Sequence, residues 1–401
     1  MNTFFFILGR NPALSRAEIY SRLSLESIQF RHVFSSDQFC LLDLDGPFEP
    51  ATFLRKLGGT IKIGALVTSV NRHQLQQKLV SPDLLGQLLI FTERVVFGLS
   101  YYSTRPIFTA LQLRQIGLSL KKTLAQDGRS ARWVQSRQNP LSSVIVDKNK
   151  LIEKGGEIVL LETQPETLAL GKTLAVQEYA EYSERDYGRP ERSMRQGMLP
   201  PKLARLMINL AQCPLSAALL DPFCGSGTIL QEARLLDYTR LTGTDNNPKA
   251  IADSRENLAW LERQYRLQPA ELLLRALDVR SLDQLFPAAS IDAVITEPFL
   301  GPAHLPPESR ELDRAFEQIQ ALYQAAFISI QRVVKPGGRV VIVFPRWKTG
   351  RGWLQLPATI IPKALQRVVY PSWVSIQPFV YQRSDQRVVR EIFVFQKNKT
   401  G

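Results

Sequence analysis

The 401-residue sequence has few of the residues that build metal centres or disulfide frameworks. Its three cysteines and three histidines are Cys40, Cys213, Cys224, His32, His73 and His304. The cysteines show no paired spacing, and the histidines lie far from them in the sequence, whereas structural zinc sites and disulfide scaffolds have recognisable spacings. We therefore expect no metal site and no disulfide framework.

The sequence also lacks long apolar runs. A membrane-spanning helix needs about 18 or more consecutive apolar residues, and no run in the chain approaches that length. The first residues, MNTFFFILGRNP, have no basic flank before their short apolar stretch, which argues against a secretory signal. These features predict a soluble, cytoplasmic protein without a membrane partner.

Acidic residues are scarce relative to basic ones. The chain has 50 Lys and Arg but 37 Asp and Glu, which gives a formal net charge of +13. Most of the excess lies in residues 60–160, which carry 14 Lys and Arg against six Asp and Glu, whereas residues 1–59 carry six of each. Clustered cations bind phosphates by displacing condensed counterions, so this segment is a candidate nucleic-acid surface.

The length of the chain predicts two or three domains. Within the basic segment, the runs IKIGALV, RVVFGLSYY, SSVIVD and EIVLLET predict short strands. The stretch LQLRQIGLSLKKTLAQ predicts a helix with Leu113, Ile116 and Leu120 on one face. This alternation indicates a small α+β domain.

Five basic residues of this segment surround Trp133 in the sequence: Lys121, Lys122, Arg129, Arg132 and Arg137. Cations interleaved with an aromatic ring are typical of RNA-binding surfaces. The same pattern fits a solvated helix face that one tryptophan anchors to the core. From this window alone the two interpretations are equally good.

The second half of the chain alternates strands and helices from Ala217 onward. This order is typical of an α/β, Rossmann-like fold with a parallel sheet and flanking helices. A helix with Leu203, Leu206, Met207 and Leu210 on one stripe precedes it. The runs WVSIQPFVYQ and RVVREIFVFQK predict two antiparallel strands at the C-terminal edge of the sheet.

The most specific motif is DPFCGSGT, which runs from Asp221 to Thr228 where a strand ends and a helix begins. Gly225 and Gly227 let the backbone approach a ligand closely because they have no Cβ. A dinucleotide could bind at such a turn, but the G-x-G-x-x-G pattern is missing and an acid precedes the glycines. That acid favours a cationic ligand such as the sulfonium of S-adenosylmethionine.

Two further aspartates follow predicted strands. Asp245, about 20 residues after the glycines, is placed to accept hydrogen bonds from ribose hydroxyls, although it could instead cap the next helix. Asp278 follows the third strand and could reach an adenine amino group, but surface aspartates are common at strand ends.

The run DAVITEPFLG predicts a buried strand that stops at an acid and a proline on the same edge of the sheet. Methylating an exocyclic amine needs an acceptor that orients the N–H, a rigid turn, and often a ring that stacks on the extruded base. Glu297, Pro298 and Phe299 supply these three parts. They are the candidate catalytic residues.

With these residues in place, the sequence resembles the THUMP-domain class I RNA methyltransferases, in particular the tRNA guanine-N2 methyltransferases. The resemblance covers nearly the whole chain and rests on four stretches: DPFCGSGTILQEA, RPERSMRQGMLPPKLARLMINLA, KPGGRVVIVFP and YQRSDQRVVREIFVFQ. It implies a ferredoxin-like region at 1–59, a THUMP RNA-binding domain at 60–165, a linker at 166–190 and an S-adenosylmethionine-dependent methyltransferase domain at 191–401.

The resemblance implies transfer of a methyl group from S-adenosylmethionine to the exocyclic N2 of a guanosine in tRNA. The family's cofactor contacts fall on Asp221, Gly225, Gly227, Asp245 and Asp278. Relatives usually read Asp or Asn, Pro, Pro and an aromatic where this chain reads Glu, Pro, Phe and Leu. Some relatives need a small activating protein subunit, which is therefore a candidate partner.

Three alternatives stay open at the level of sequence. The chain could methylate an amino group of rRNA or of DNA, since DNA amino methyltransferases use similar acid-Pro-Pro-aromatic turns. The departures after Thr296 also fit a catalytically weak RNA-binding protein that retains the methyltransferase fold. Carbon-5 pyrimidine chemistry is set aside, because Cys224 lies in the cofactor loop and not at the catalytic turn.

Overall fold

The computed structural model describes residues 2–104, 107–192, 198–301, 310–349, 352–382 and 388–399. Parts of two motifs quoted above, at 193–197 and 383–387, lie outside these ranges. The chain forms two compact units. The first contains the chain up to Ser15 and Ser27–Tyr179, and the second contains Arg16–Glu26 and the chain from Ala180 onward.

The first unit is built on one mixed sheet with the strand order β2-β3-β1-β4-β8-β7-β5-β6. The strands are β1 (Asn2–Leu8), β2 (Phe30–Ser35), β3 (Phe39–Leu44), β4 (Thr60–Asn71), β5 (Arg94–Tyr102), β6 (Ser130–Val134), β7 (Gly155–Gln164) and β8 (Thr167–Val176). The β5–β6 and β5–β7 pairs are parallel, and the other pairs are antiparallel.

Helices connect these strands. They are α1 (Pro12–Leu25), which the unit boundary divides, α2 (Pro50–Arg55), α3 (Leu75–Leu79), α4 (Pro82–Leu88), α5 (Ala110–Gln126), α6 (Ser143–Lys148) and α7 (Leu151–Lys154). A short 3₁₀ helix lies at Arg72–Gln74. Helix α5 starts at a capping box, in which Thr109 and Gln112 each accept the other's backbone N–H. Leu113, Ile116 and Leu120 are buried, as their spacing predicts.

One sheet spans both segments that the sequence suggested as separate domains. The expected boundary at residue 59 falls just before β4, which pairs with β1 on one side and β8 on the other. The segment 166–190, expected to be a linker, contains β8 and a helix at Tyr179–Tyr187. Apolar residues alternate along Thr167–Val176 and favour a strand there, but the polar residues on either side of this stretch suggest a linker.

The prediction of a strand at SSVIVD was wrong. Residues Ser143–Lys148 form helix α6, and the side chain of Ser142 accepts the backbone N–H of Ile145. Ser142 is thus an N-cap, which favours a helix over the strand that the β-branched residues suggest. The flanking runs IKIGALV, RVVFGLSYY and EIVLLET are strands, as predicted.

A fully buried ion pair joins β4 to β7. Lys62 Nζ contacts Glu157 Oε1 and donates a hydrogen bond to Leu141 O at 2.7 Å. The Glu157 carboxylate also accepts hydrogen bonds from the hydroxyls of Ser100 and Thr173. Both charged side chains have 0% exposure, so each depends on these partners for the stability of its charge.

We expect the Lys62→Met variant to lose about 3–5 kcal/mol of unfolding free energy, because it leaves the Glu157 charge buried without a cation. Urea denaturation measures the loss. The double variant Lys62→Met, Glu157→Leu serves as the control and is expected to recover most of it, since no buried charge remains. A single variant as stable as the wild type would show that the pair contributes little.

The second unit contains a nine-stranded sheet with the main order β11-β10-β9-β12-β13-β17-β15. Its strands are β9 (Ala218–Asp221), β10 (Arg240–Asp245), β11 (Glu271–Ala276), β12 (Ile291–Thr296), β13 (Val334–Thr349), β14 (Gly352–Gln355), β15 (Leu365–Arg367), β16 (Phe379–Tyr381) and β17 (Val388–Lys397). Strands β9 to β13 run parallel, as predicted for a Rossmann-like sheet.

Helices flank this sheet: α8 (Tyr179–Tyr187), α9 (Pro201–Leu210), α10 (Thr228–Leu235), α11 (Pro248–Tyr265) and α12 (Arg310–Val333). Two 3₁₀ helices lie at Val279–Gln284 and Ala358–Ile360. Asn247 caps α11 by accepting the backbone N–H of Lys249, and Pro248 occupies the first turn. Leu203, Leu206, Met207 and Leu210 of α9 are buried.

The C-terminal strand β17 pairs antiparallel with β13, so the sheet is mixed. It is not the outermost strand, because β15 and β16 pair with its other side. The run WVSIQPFVYQ forms only the three-residue β16. Pro378 precedes that strand, and a proline cannot donate to a strand ladder, which limits how early the strand begins. Among the described residues, no helix is both long and apolar enough to cross a membrane.

Candidate active site

Three acidic or hydroxyl side chains meet at the carboxyl edge of the parallel strands in the second unit. Asp221 ends β9, Asp245 ends β10 and Thr296 ends β12, and β9 lies between the other two strands. Open α/β sheets bind their ligands at this edge. Four of the five predicted cofactor residues and all three predicted catalytic residues lie on these strands or in the turns that follow them.

The turn after β9 leads into α10 through the two predicted glycines. Gly225 has φ +50° and Gly227 has φ +84°, which are values that side chains rarely adopt. A Cβ on Gly227 would lie 2.4 Å from Ser254 Oγ, whereas nothing lies within 4 Å of the corresponding position on Gly225. The turn therefore keeps its backbone open on the Gly225 side and closed against α11 on the Gly227 side.

Asp245 holds this turn in place. Its Oδ2 accepts the backbone N–H of Gly225 at 3.0 Å, and its Oδ1 accepts the N–H of Asn247 at 2.9 Å. Each carboxylate oxygen can accept a second hydrogen bond. Asp245 thus remains able to bind a ligand hydroxyl while it fixes the glycine turn, and the helix cap is Asn247 instead.

Asp221 lies beneath the turn and is 2% exposed. Its Oδ1 accepts hydrogen bonds from the Thr296 hydroxyl at 2.7 Å and from the Phe223 N–H at 3.2 Å. The pKa of Asp221 is raised to about 7, mainly by burial and to a smaller extent by the charges of Asp245 and Glu297, while the two hydrogen bonds oppose the rise. Its carboxylate therefore lacks a compensating cation among its described neighbours.

Asp278 follows β11, as predicted, but its carboxylate is used locally. It accepts the backbone N–H of Arg280 at 2.8 Å and caps the following 3₁₀ helix, and its Oδ2 lies 3.1 Å from Arg280 Nη1. Its side chain is 37% exposed. The structure therefore shows a helix cap here, with room left for a second contact.

Glu297 follows β12 and forms a two-pronged ion pair with Arg390 of β17. Arg390 Nε lies 2.6 Å from Glu297 Oε2, and Arg390 Nη2 lies 3.1 Å from Oε1. The side chains are 4% exposed for Arg390 and 11% for Glu297. Such a fork fixes the plane of a carboxylate. It leaves each oxygen able to accept one more hydrogen bond.

The next two residues differ sharply in exposure. Pro298 is buried, whereas Phe299 is 57% exposed. Phenylalanine is among the side chains most often buried, and an exposed ring beside a buried proline is available to contact a ligand. The turn therefore combines an oriented carboxylate, a rigid proline and an accessible ring within three residues.

Arg390 was not predicted from the sequence, and neither were two residues that support the glycine turn. Asn257 Nδ2 donates to Ser226 O at 3.0 Å, and Arg189 Nη1 donates to Thr228 Oγ1 at 2.7 Å. All three are polar residues with at most 3% exposure. A buried polar residue within an apolar run, such as Arg390 in VVREIFVF, is the one signal that could have identified them.

Cys224 lies in the same turn but has no chemical role there. It is 5% exposed, and burial raises the pKa of its thiol well above the ordinary value. A thiolate nucleophile requires the opposite shift. Within the described residues, no group of three or more His, Cys, Asp and Glu side chains is arranged to hold a metal ion.

The five predicted RNA-binding residues all lie exposed in the first unit: Lys121, Lys122, Arg129, Arg132 and Arg137. The Arg129 guanidinium stacks 4.0 Å from the ring centroid of Phe91, and Arg132 Nη2 donates to Asn149 Oδ1 at 2.9 Å. Arg137 and Trp133 line a cavity of about 530 Å³. Trp133 itself packs on Gly117 of α5, so it anchors the helix as well as lining the cavity.

Comparisons with known proteins agree with this geometry. The family model described as RMKL-like, methyltransferase domain matches residues 189–358. The chain is 32% identical over 152 residues to a tRNA (guanine(10)-N2)-dimethyltransferase of Methanothermobacter thermautotrophicus, a match that covers 38% of this chain and 40% of that protein. It is 27% identical over 210 residues to a tRNA (guanine(6)-N2)-methyltransferase of Thermus thermophilus, which covers 52% of each.

The chain thus spans about half the length of these curated relatives, or less. The crystal structure of TrmN from Thermus thermophilus matches 98% of this chain and 99% of its own with a TM-score of 0.55 and 17% identity, which shows a shared fold. The strand order of the second unit and its glycine turn are both consistent with the match to the methyltransferase family model. Residues 189–358 therefore match a methyltransferase domain, and the chain is similar in sequence to tRNA guanine-N2 methyltransferases over about half of its length or less.

Proposed function

We propose that this chain transfers a methyl group from S-adenosylmethionine to the exocyclic N2 of a guanosine in tRNA. The observation that carries the proposal is the turn after β12, where Glu297 is fixed by Arg390 and Phe299 is 57% exposed, beside the strand that ends in Asp221. We infer the substrate from two relatives that are named as tRNA guanine-N2 methyltransferases.

The residues at the sheet edge suit S-adenosylmethionine. Gly225 leaves an open position that a Cβ would fill, Asp245 has remaining acceptor capacity for ribose hydroxyls, and Asp221 is a buried acid without a cation. Asp278 is a further candidate contact through its second acceptor site. When bound, S-adenosylmethionine supplies an electrophilic methyl group on a positively charged sulfur.

The residues of the catalytic turn act on the amine that receives the methyl group. Glu297 accepts an N–H of the guanine amine, which orients the nitrogen lone pair and stabilises the positive charge that develops on it. Pro298 holds the turn rigid, and Phe299 stacks on the base once it leaves its helix. Arg390 fixes the carboxylate as an oriented acceptor, and the proton that the nitrogen loses on methylation leaves along this hydrogen bond to Glu297 or to solvent.

The first unit would hold the RNA. We propose that residues 60–165 form a THUMP domain preceded by a ferredoxin-like region, and that Lys121, Lys122, Arg129, Arg132 and Arg137 contact RNA phosphates. All five side chains are exposed, and most of the excess positive charge of the chain lies in this segment. We place the protein in the cytoplasm, where its substrate lies, and a small activating subunit is a candidate partner.

The raised pKa of Asp221 predicts a pH-dependent affinity for the cofactor. Only the ionised carboxylate attracts a sulfonium, so affinity for S-adenosylmethionine should rise roughly tenfold between pH 6 and pH 8, as Asp221 loses its proton near pH 7. S-adenosylhomocysteine has no charged sulfur and should show a smaller rise. Calorimetric titration at several pH values measures both.

The control for this prediction is Asp221→Asn, which keeps the shape and removes the ionisable group. It should weaken binding of S-adenosylmethionine at pH 8 and flatten the pH dependence. The same pKa shift has the opposite effect on the stability of the fold, because the free energy of unfolding falls as the pH rises. Because the folded pKa lies above the unfolded value of about 3.9, the folded state holds the extra proton between those values, so stability falls as pH rises through that window. If the affinity of Asp221→Asn for S-adenosylmethionine kept the wild-type pH dependence, the titrating group would be a residue other than Asp221.

The proposed function is tested by incubating the protein with methyl-labelled S-adenosylmethionine and either tRNA transcripts, rRNA fragments or duplex DNA. Label in tRNA alone is expected, because the basic first unit and the relatives both favour tRNA. Label in rRNA or in DNA would retain the fold and change the substrate. Cofactor binding without label in any nucleic acid would indicate a missing activating subunit or an RNA-binding protein without turnover.

A further inference from the structure

The end of β13 and strand β14 form a hairpin with two different faces. Lys348 pairs with Trp353, and Trp347 pairs with Leu354. Directly paired residues share a face and successive residues alternate, so Arg346, Lys348 and Trp353 lie on one face. Trp347 and Leu354 lie on the other and pack into the core of the second unit.

The hairpin starts beside the proposed catalytic turn. A Cβ on Gly301, four residues after Glu297, would lie 2.8 Å from Trp347 Cζ2. The Trp347 ring also makes an edge contact with Phe316 of α12 at 6.0 Å between centroids. The buried face of the hairpin thus packs against Gly301, which lies just after the catalytic turn. The opposite face of the hairpin is accessible, since Lys348 and Trp353 are both exposed.

That opposite face carries a preformed aromatic surface. Trp353 is 49% exposed, and the Arg346 guanidinium lies 4.3 Å from the centroid of its ring. Arg346 is held from behind by Glu391, whose Oε1 lies 3.0 Å from Nη1 and whose side chain is 8% exposed. One surface of the indole is therefore covered by a fixed cation, and half of the side chain remains accessible.

We propose that Trp353 binds an unpaired nucleobase of the RNA by stacking, close to the nucleotide that is methylated. The charge of the surface favours RNA over an apolar protein partner, because Arg346 lies on the ring and the exposed Lys348 lies directly opposite it on the neighbouring strand. A base offers a ring to stack, and its phosphate offers a counter-charge for Lys348. The proposal rests on the proposed RNA substrate.

The test measures RNA binding without any methyl transfer. Fluorescence anisotropy gives the Kd of a labelled tRNA transcript for the wild type and for Trp353→Ala, Trp353→Phe and Val369→Ala. We expect the alanine variant to bind roughly 10-fold more weakly, and the phenylalanine variant to stay close to the wild type because it keeps a ring. Val369→Ala is the matched control, since Val369 is an 89% exposed apolar residue of the same unit.

A second arm uses Lys348→Ala and a series of salt concentrations. Loss of one phosphate contact should reduce the slope of log Kd against log salt by about one. Equal affinity of the wild type and Trp353→Ala, or an equal loss in Val369→Ala, would overturn the proposal. So would self-association of the wild type that Trp353→Ala abolishes without a change in RNA affinity, because the surface would then bind a second copy of the chain.

The outcomes for the two proposals are separable. Weaker RNA binding by Trp353→Ala in a protein that methylates no RNA would support the stacking site and reject the proposed activity. Methylated RNA with an unchanged Kd in Trp353→Ala would reject the stacking site alone. A wild type that binds no RNA would reject both.

Discussion

We expect Glu297→Gln to lower the kcat of methyl transfer by about 10²–10⁴-fold, the range expected when a positioned acceptor is lost. Glutamine keeps the length of the side chain, but it replaces one acceptor oxygen by an N–H donor and removes the charge. The amine of the substrate then loses the group that orients it. Single-turnover kinetics with tRNA measure this step, and calorimetry should find the Kd for S-adenosylmethionine within about twofold of the wild type.

The control for Glu297→Gln is Glu262→Gln. Glu262 also pairs with a buried arginine, Arg234, at 3.4 Å in the second unit, but it lies on α11 and outside the catalytic turn. Its variant should retain activity within about twofold. If Glu297→Gln also retained activity, the catalytic assignment of Glu297 would be wrong, and Asp221 or a backbone carbonyl of the turn would have to orient the amine.

Arg390→Gln is expected to give the second largest loss, about 100-fold in kcat, because a carboxylate misplaced by about 1 Å no longer meets the amine. Arg390 does not need to touch the substrate for this effect. It acts by holding both oxygens of Glu297 through Nε and Nη2. KM for tRNA and Kd for the cofactor should change little.

Arg390→Lys separates orientation from charge. Lysine keeps the positive charge, but a single ammonium cannot reproduce the fork, so activity should lie between that of the glutamine variant and the wild type. Thermal unfolding of all variants detects a simple loss of folding. If both variants lost stability in proportion to activity, Arg390 would be a structural residue only.

The order of elements in the second unit could be predicted because each local signal agrees with the fold. The helix over Pro248–Tyr265 has its cap, its proline and its apolar spacing in register. The neighbouring strands β9 and β10 each end in an aspartate, and this pattern places the cofactor turn at one edge of the sheet. Asp221, Gly225, Gly227 and Asp245 therefore meet at the carboxyl ends of adjacent strands, although their roles are still predictions.

The failures of prediction have physical causes that can be identified in the structure. SSVIVD is rich in β-branched residues, yet one serine cap makes it helix α6. In the segment after residue 166, a strand of the first sheet was mistaken for a linker, because its partner β4 lies about 100 residues earlier in the chain. The apolar alternation of this strand is a local signal, but its pairing with β4 is long-range and cannot be read from the segment itself.

In the candidate site, too, contacts between residues that are distant in the sequence could not be predicted. Glu297, Pro298 and Phe299 were found because they form one continuous motif. Arg390 lies 93 positions from Glu297 and could not be connected to it without the sheet register that brings β17 beside β13. The departure from the usual Asp or Asn motif also has a structural correlate here, since the longer glutamate reaches a buried arginine.

The most direct test of the central claim is to digest tRNA transcripts after reaction with S-adenosylmethionine and to identify the methylated nucleosides by mass spectrometry. The account predicts N2-methylguanosine in tRNA treated with the wild type and none in tRNA treated with Glu297→Gln. A different methylated nucleoside as the sole product would contradict the assignment of guanine N2 to the pocket formed by Glu297 and Phe299.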